Sequence, residues 1–116
     1  MFALMKACPP TELDPDTLAT LGECNLDGVV VQAFSAHPHR IVRRRASDNF
    51  GMRYRGPSKL DIYELSDTLP VRRLTTVPVA PGLLHDFIAT EPYLMFFVPP
   101  LRLRMGLAAS ARSLII

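Results

Sequence analysis

Cysteine is scarce in this 116-residue chain. Cys8 and Cys24 are the only two, too few for a disulfide scaffold and without the spacing of a zinc site built from four thiolates or histidines. Both read as reduced thiols in a cytosolic setting. Long apolar runs are absent as well: the longest, Tyr93 to Val98, stops at Pro99-Pro100 and is followed by Arg102 and Arg104, far short of the ~20 residues that span a bilayer. Met1 to Met5 is too short for the apolar part of a signal peptide. Charge of one sign is also in short supply. Thirteen Lys and Arg against eleven Asp and Glu leave +2, too small an excess to make nucleic acid an expected partner. There is no glycine-rich phosphate loop, no nucleophile elbow and no histidine pair spaced for one helix turn.

Proline, by contrast, is abundant. Eleven prolines are about twice the ordinary share, and each removes a backbone donor and blocks a helix interior, which excludes a long helical bundle. With 48% apolar and 21% charged residues the composition is globular, and 12.9 kDa leaves room for one domain. Strands joined by turns are the expected architecture. Phe2 to Met5 reads as a strand, Pro9 to Asp16 as turns, and Thr17 to Gly22 as either a helical turn or a short strand closed by glycine. Gly28 to Phe34 is rich in β-branched residues and predicts a strand that ends at Ser35-Ala36-His37-Pro38-His39. Asn49 to Tyr54 alternates weakly. Leu60 to Leu65 alternates cleanly, with Leu60, Ile62 and Glu64 on one face, and Val71 to Val79 predicts a further strand. Ile88 to Thr90 and Tyr93 to Val98 form a hairpin pattern around Glu91-Pro92. The tail from Leu101 to Ile116 is the one predicted helix.

Two of the three histidines, His37 and His85, fall at the ends of apolar stretches. Neutral imidazoles placed so can hold iron, copper or zinc. They can equally be hydrogen-bonded side chains at a core edge, since two histidines complete no metal's shell. His39 is separated from His37 by a rigid proline. Arg40, Arg43, Arg44, Arg45, Arg53 and Arg55 form a basic cluster. With only Phe50 and Tyr54 interleaved and no RNA-binding signature, a solvated loop explains it better than an RNA or lipid patch.

Four segments in this order, Leu13 to Gly22, Ser35 to His39, Asn49-Phe50-Gly51 and His85-Asp86-Phe87-Ile88-Ala89-Thr90-Glu91-Pro92-Tyr93, resemble the carotenoid cleavage oxygenase family. That family includes apocarotenoid and lignostilbene oxygenases and the retinal pigment epithelium isomerase. The resemblance runs from about Phe2 to about Leu103. It implies an all-β fold, a seven-bladed β-propeller carrying a non-haem Fe(II) on its axis held by four histidines. His37 and His85 match the first two ligands, and the other two have no counterpart in this chain. The implied reaction is cleavage of a conjugated carbon–carbon double bond of a carotenoid, apocarotenoid or stilbene by O₂, giving two carbonyl products.

The chain departs from the family in three places. Lys6 stands where the resemblance implies a glutamate that accepts the free N–H of the ligand matched by His85; an ammonium accepts nothing and adds positive charge, so iron affinity should fall. Arg40 to Asp48 replaces an Asp-Pro turn. Strands for only about two blades are present, so residues 1–116 are expected to be an incomplete propeller domain with a short C-terminal helix, self-associating through open strand edges. Such a chain is either a fragment of the Fe(II) dioxygenase, inactive by itself, or a truncated remnant that acts as an interaction or membrane-surface module. Leu101, Leu103, Leu107, Leu114 and Ile115, with Arg102, Arg104 and Arg112, fit a peripheral membrane contact of an otherwise cytoplasmic protein, and fit an ordinary packed helix equally well.

Overall fold

A computed structural model of the protein describes residues 1–100. The predicted C-terminal helix and the apolar residues of its expected membrane contact lie outside the described residues. Among the described residues nine strands follow one another: β1 (Phe2–Ala3), β2 (Thr11–Leu13), β3 (Thr20–Glu23), β4 (His39–Ile41), β5 (Ala46–Arg53), β6 (Lys59–Ser66), β7 (Arg72–Pro78), β8 (Ile88–Ala89) and β9 (Leu94–Met95), with a 3₁₀ turn at Val42–Arg44. They form three antiparallel sheets, ordered β1-β2-β3, β4-β5-β6-β7 and β8-β9. None of the three closes into a barrel or ring.

The four-stranded sheet is the organising element, and the two faces of its long strands explain the rest. Side chains alternate across a strand. Phe50 and Met52 of β5 pair with Ile62 and Leu60 of β6 and pack with Leu84 and Phe87 in one core cluster. Phe87 stacks on Phe96 at 5.2 Å, and Phe50 meets both rings edge-on at 5.5 Å. The opposite face carries Asn49 and Gly51 opposite Tyr63 and Asp61. There Tyr63 packs with Val30 and Phe34, the Phe34 ring lying 5.3 Å away. Both faces are therefore covered, which is why Asn49 and Asp61 have no exposure at all. Arg53 pairs with Asp61 through Nε at 2.7 Å, and Thr76 Oγ1 donates to the same carboxylate at 2.5 Å. This supplies the partners that a buried charge requires.

The expected strand at Gly28 to Phe34 does not form. The segment instead crosses the second face as irregular chain, with Val30, Ala33 and Phe34 buried. It makes isolated backbone bonds, Phe34 N–H to the Cys8 carbonyl at 3.2 Å and Ser35 N–H to the Phe50 carbonyl at 2.7 Å. Of its three valines only Val30 is buried, and Val31 is exposed. The ambiguous Thr17 to Gly22 resolves as a turn followed by β3, with the Asp14 carboxylate accepting from Thr17 N–H at 2.7 Å and Asp16 N–H at 3.0 Å. The Ile88 to Val98 hairpin forms with short strands, Ile88 opposite Met95 and Ala89 opposite Leu94.

Candidate functional site

Two loops that leave opposite faces of the four-stranded sheet meet beside its β4 edge. The first runs from the buried Val30–Ser35 segment into β4 and carries His37. The second runs from Leu84 into β8 and carries His85. Their imidazole centroids lie 4.8 Å apart with planes inclined by 52°, His37 half-buried and His85 exposed.

The His37 loop is clamped by the Asn49-Phe50-Gly51 triplet. Asn49 Nδ2 donates to the Ser35 carbonyl at 2.8 Å, while its Oδ1 accepts from Phe50 N–H at 2.9 Å. Ser35 Oγ accepts from His37 N–H at 3.2 Å. Gly51 allows the close approach: a Cβ there would lie 1.8 Å from the Ala33 carbonyl oxygen.

A second contact ties the loops to each other. His39 Nε2 lies 2.8 Å from Asp86 Oδ1, and that oxygen also accepts from Phe87 N–H at 2.8 Å. The His39 ring meets Phe87 edge-on at 4.6 Å. The hydrogen bond from His39 holds the Asp86 carboxyl below its ordinary range, helped by the Phe87 amide. His39 thus serves as a tether between the loops, a role sequence reasoning missed together with its partner Asp86. The signal was present in the sequence: each lies beside a candidate ligand, within a segment that carried the resemblance.

On the outer side of His85 stands Lys6, half-buried, its Nζ 2.5 Å from His85 Nδ1. It reaches this position because the turn after β1 is bonded to the Val30–Ser35 segment through Cys8 and Phe34. Burial lowers the Lys6 ammonium below its ordinary value, and the Asp86 carboxylate opposes that shift. Beyond Asp86 lies an open, mainly apolar recess of about 400 Å³ lined by Phe87, Ile88, Met95, Phe96 and Phe97.

The arginine cluster is largely consumed by ion pairs. Arg40 makes a bidentate pair with Asp67 at 2.6 Å, Arg43 reaches Glu91 at 3.3 Å, and Arg44 pairs with the fully buried Asp48. Among the described residues no group of three or more His, Cys, Asp or Glu side chains is arranged to hold a metal ion. The His37–His85 pair has the donor type and closeness of two ligands sharing one ion. Imidazole donors suit an iron ion, but Lys6 Nζ stands against Nδ1 of one of the two.

Comparison with known proteins places the chain in a family. The model of the retinal pigment epithelial membrane protein family matches residues 1–115. Carotenoid cleavage oxygenase 1 of Neurospora crassa is 32% identical over 105 residues, 87% of this chain and 20% of the relative. Resveratrol cleavage oxygenase 1 of Aspergillus fumigatus is 30% identical over 86% of this chain and 21% of its own length. The chain therefore spans about a fifth of the length of the curated relatives it matches. Among solved structures, the lignostilbene dioxygenase of Pseudomonas brassicacearum superposes with a TM-score of 0.74 at 30% identity, covering 90% of this chain and 23% of that one. Cobalt-substituted Synechocystis ACO superposes at 0.66 with 28% identity, covering 82% and 22%. The open sheets are a portion of the β-propeller of these oxygenases. With the family model matched along nearly the whole chain, this protein is a member of the retinal pigment epithelial membrane protein family, that of the carotenoid cleavage oxygenases.

Proposed function

We propose that this chain is the part of an Fe(II)-dependent oxygenase that supplies two of the metal's imidazoles, His37 and His85. The observation that carries the proposal is the convergence of these rings, 4.8 Å apart, from loops held by separate faces of one sheet. Iron bound there would supply activation of O₂ for splitting a conjugated carbon–carbon double bond into two carbonyl fragments. The chain's own residues position the rings: Asn49, Gly51 and Ser35 fix the first loop, and His39 with Asp86 fixes it to the second. The apolar recess beside Asp86 supports a polyene or stilbene as the substrate class, since such a molecule gains most by leaving water.

The chain alone holds too few ligands for turnover. Anaerobic titration with Fe(II) is expected to show weak binding of one ion, lost in His37→Ala and in His85→Ala, and no cleavage of resveratrol or an apocarotenoid when O₂ is admitted. The second reading is a non-catalytic remnant that binds a membrane surface or an intact relative, and the Lys6 contact with His85 favours it. Binding to anionic vesicles that vanishes at high salt, with no histidine-dependent iron uptake, would establish that reading in place of the first.

A further inference from the structure

The lysine against His85 does not fit an imidazole ligand, and the misfit has a definite chemical form. A metal takes the lone pair of one ring nitrogen while the other nitrogen keeps its proton and donates it. Lys6 Nζ lies 2.5 Å from His85 Nδ1, and an ammonium has three donors and no acceptor. The only neutral imidazole compatible with that contact accepts at Nδ1 and carries its proton on Nε2. Neither nitrogen then offers a free lone pair, because one is covered by Lys6 and the other is protonated. Among the described residues His37 has no comparable restraint on its ring: its contact with Ser35 is through the backbone N–H.

We propose that Lys6 acts as a tautomer lock on His85, holding the proton on Nε2 and keeping this imidazole out of metal coordination while the contact stands. Lys6 is a positioning residue by this account, and its consequence for metal uptake rests on the reading of His37 and His85 as a ligand pair. The structure holds Lys6 in place from both sides. Leu4 packs against the cluster around Val30, Phe34 and Tyr63, and Phe34 N–H bonds the Cys8 carbonyl at 3.2 Å. The lysine is therefore anchored two residues before and two residues after its own position. Release of His85 requires the side chain to swing away or to be replaced.

The test compares the wild-type chain with Lys6→Met, which removes the donor, and Lys6→Glu, which replaces it with an acceptor. Long-range proton–nitrogen correlation of the imidazoles reads the tautomer without any metal. The wild type should show His85 protonated at Nε2, and Lys6→Glu should show it protonated at Nδ1. Co(II) titration of the same samples should then give affinity about 10- to 100-fold higher in Lys6→Glu than in the wild type, with Lys6→Met between them. The His37 tautomer should be the same in all three, which separates a local lock from a general disturbance. A wild-type His85 already protonated at Nδ1, or one that Lys6→Glu leaves unchanged, overturns the lock. A tautomer that switches without gain of Co(II) affinity upholds the lock and overturns the ligand-pair reading beneath it.

Discussion

Replacing Gly51 by alanine should be among the most damaging single-atom additions in the chain. A Cβ at Gly51 would lie 1.8 Å from the Ala33 carbonyl oxygen and 2.8 Å from its carbonyl carbon, with the Tyr63 ring at 3.2 Å on another side. An ordinary carbon–oxygen contact is ~3.3 Å, so the Ala33 backbone has to retreat by ~1.5 Å. Backbone cannot rotate out of the way as a side-chain end does. The retreat breaks the Ser35 N–H bond to the Phe50 carbonyl at 2.7 Å and the Asn49 bond to the Ser35 carbonyl at 2.8 Å. Overpacking costs roughly 1–3 kcal/mol and each lost bond about 1 kcal/mol. The expected total is about 3–5 kcal/mol, a large part of the stability of a small domain. Gly56→Ala is the control. Gly56 has φ +73° and open space around it, so alanine there pays only for a left-handed backbone, about 1–2 kcal/mol. Urea unfolding of both variants, read as midpoint shifts at a common slope, gives the comparison. A Gly51→Ala cost no greater than that of Gly56→Ala would refute the argument that this glycine exists for the close approach of the His37 loop.

Asn49→Ala should cost about 1–3 kcal/mol, because it leaves the Ser35 carbonyl and Phe50 N–H without partners in a buried site; urea unfolding measures it. Phe87→Ala should cost about 3–5 kcal/mol by emptying the stack with Phe96 and Phe50, and by removing the His39 contact it should also shift the His39 ring resonances. In acid, three carboxyls are held below their ordinary range: Asp14 by the Thr17 amide, Asp67 by Arg40 and Asp86 by His39. The unfolded chain takes up protons at these groups first, so their stabilisation is complete above the ordinary carboxylate range and is lost as pH falls through it and below; thermal unfolding followed from pH 6 downward checks this. In base, burial first and then the Asp61 charge push Tyr63 up to about 12. The unfolded phenol ionises near its ordinary ~10 while the folded one does not, so stability should decline as pH rises between those values, with the phenolate absorbance of Tyr63 appearing last.

The parts of the fold visible in the sequence were those whose side chains alternate against a single partner. Leu60 and Ile62 announce β6, and the Glu91-Pro92 turn announces the last hairpin. The alternation conceals that the second face is also buried. Asp61 falls between Leu60 and Ile62 on the other side of that alternation, yet it has no exposure, and neither have Asn49 and Asp48. Val29-Val30-Val31 reads as a strand because β-branched residues favour a pleated surface, yet the segment forms no strand and buries only Val30 of the three, leaving Val31 exposed. For the site, His37 and His85 drew notice through their positions beside proline and aspartate and through the family resemblance. Their mutual distance was not readable, since it is set by two loops crossing opposite faces of a sheet. The same resemblance singled out Lys6 as a departure. Its contact with Nδ1 depends on how the N-terminal turn is anchored, which only the folded chain shows.

The measurement that bears most directly on the central claim is proton NMR of the imidazoles during Co(II) titration, with the Lys6→Glu chain run beside the wild type. If His37 and His85 serve one metal ion, the ring resonances of both move together in Lys6→Glu, at one ion per chain and one apparent affinity, and far more weakly in the wild type. Movement of one ring without the other, or of neither in Lys6→Glu, would contradict the claim that this chain carries a pair of metal ligands.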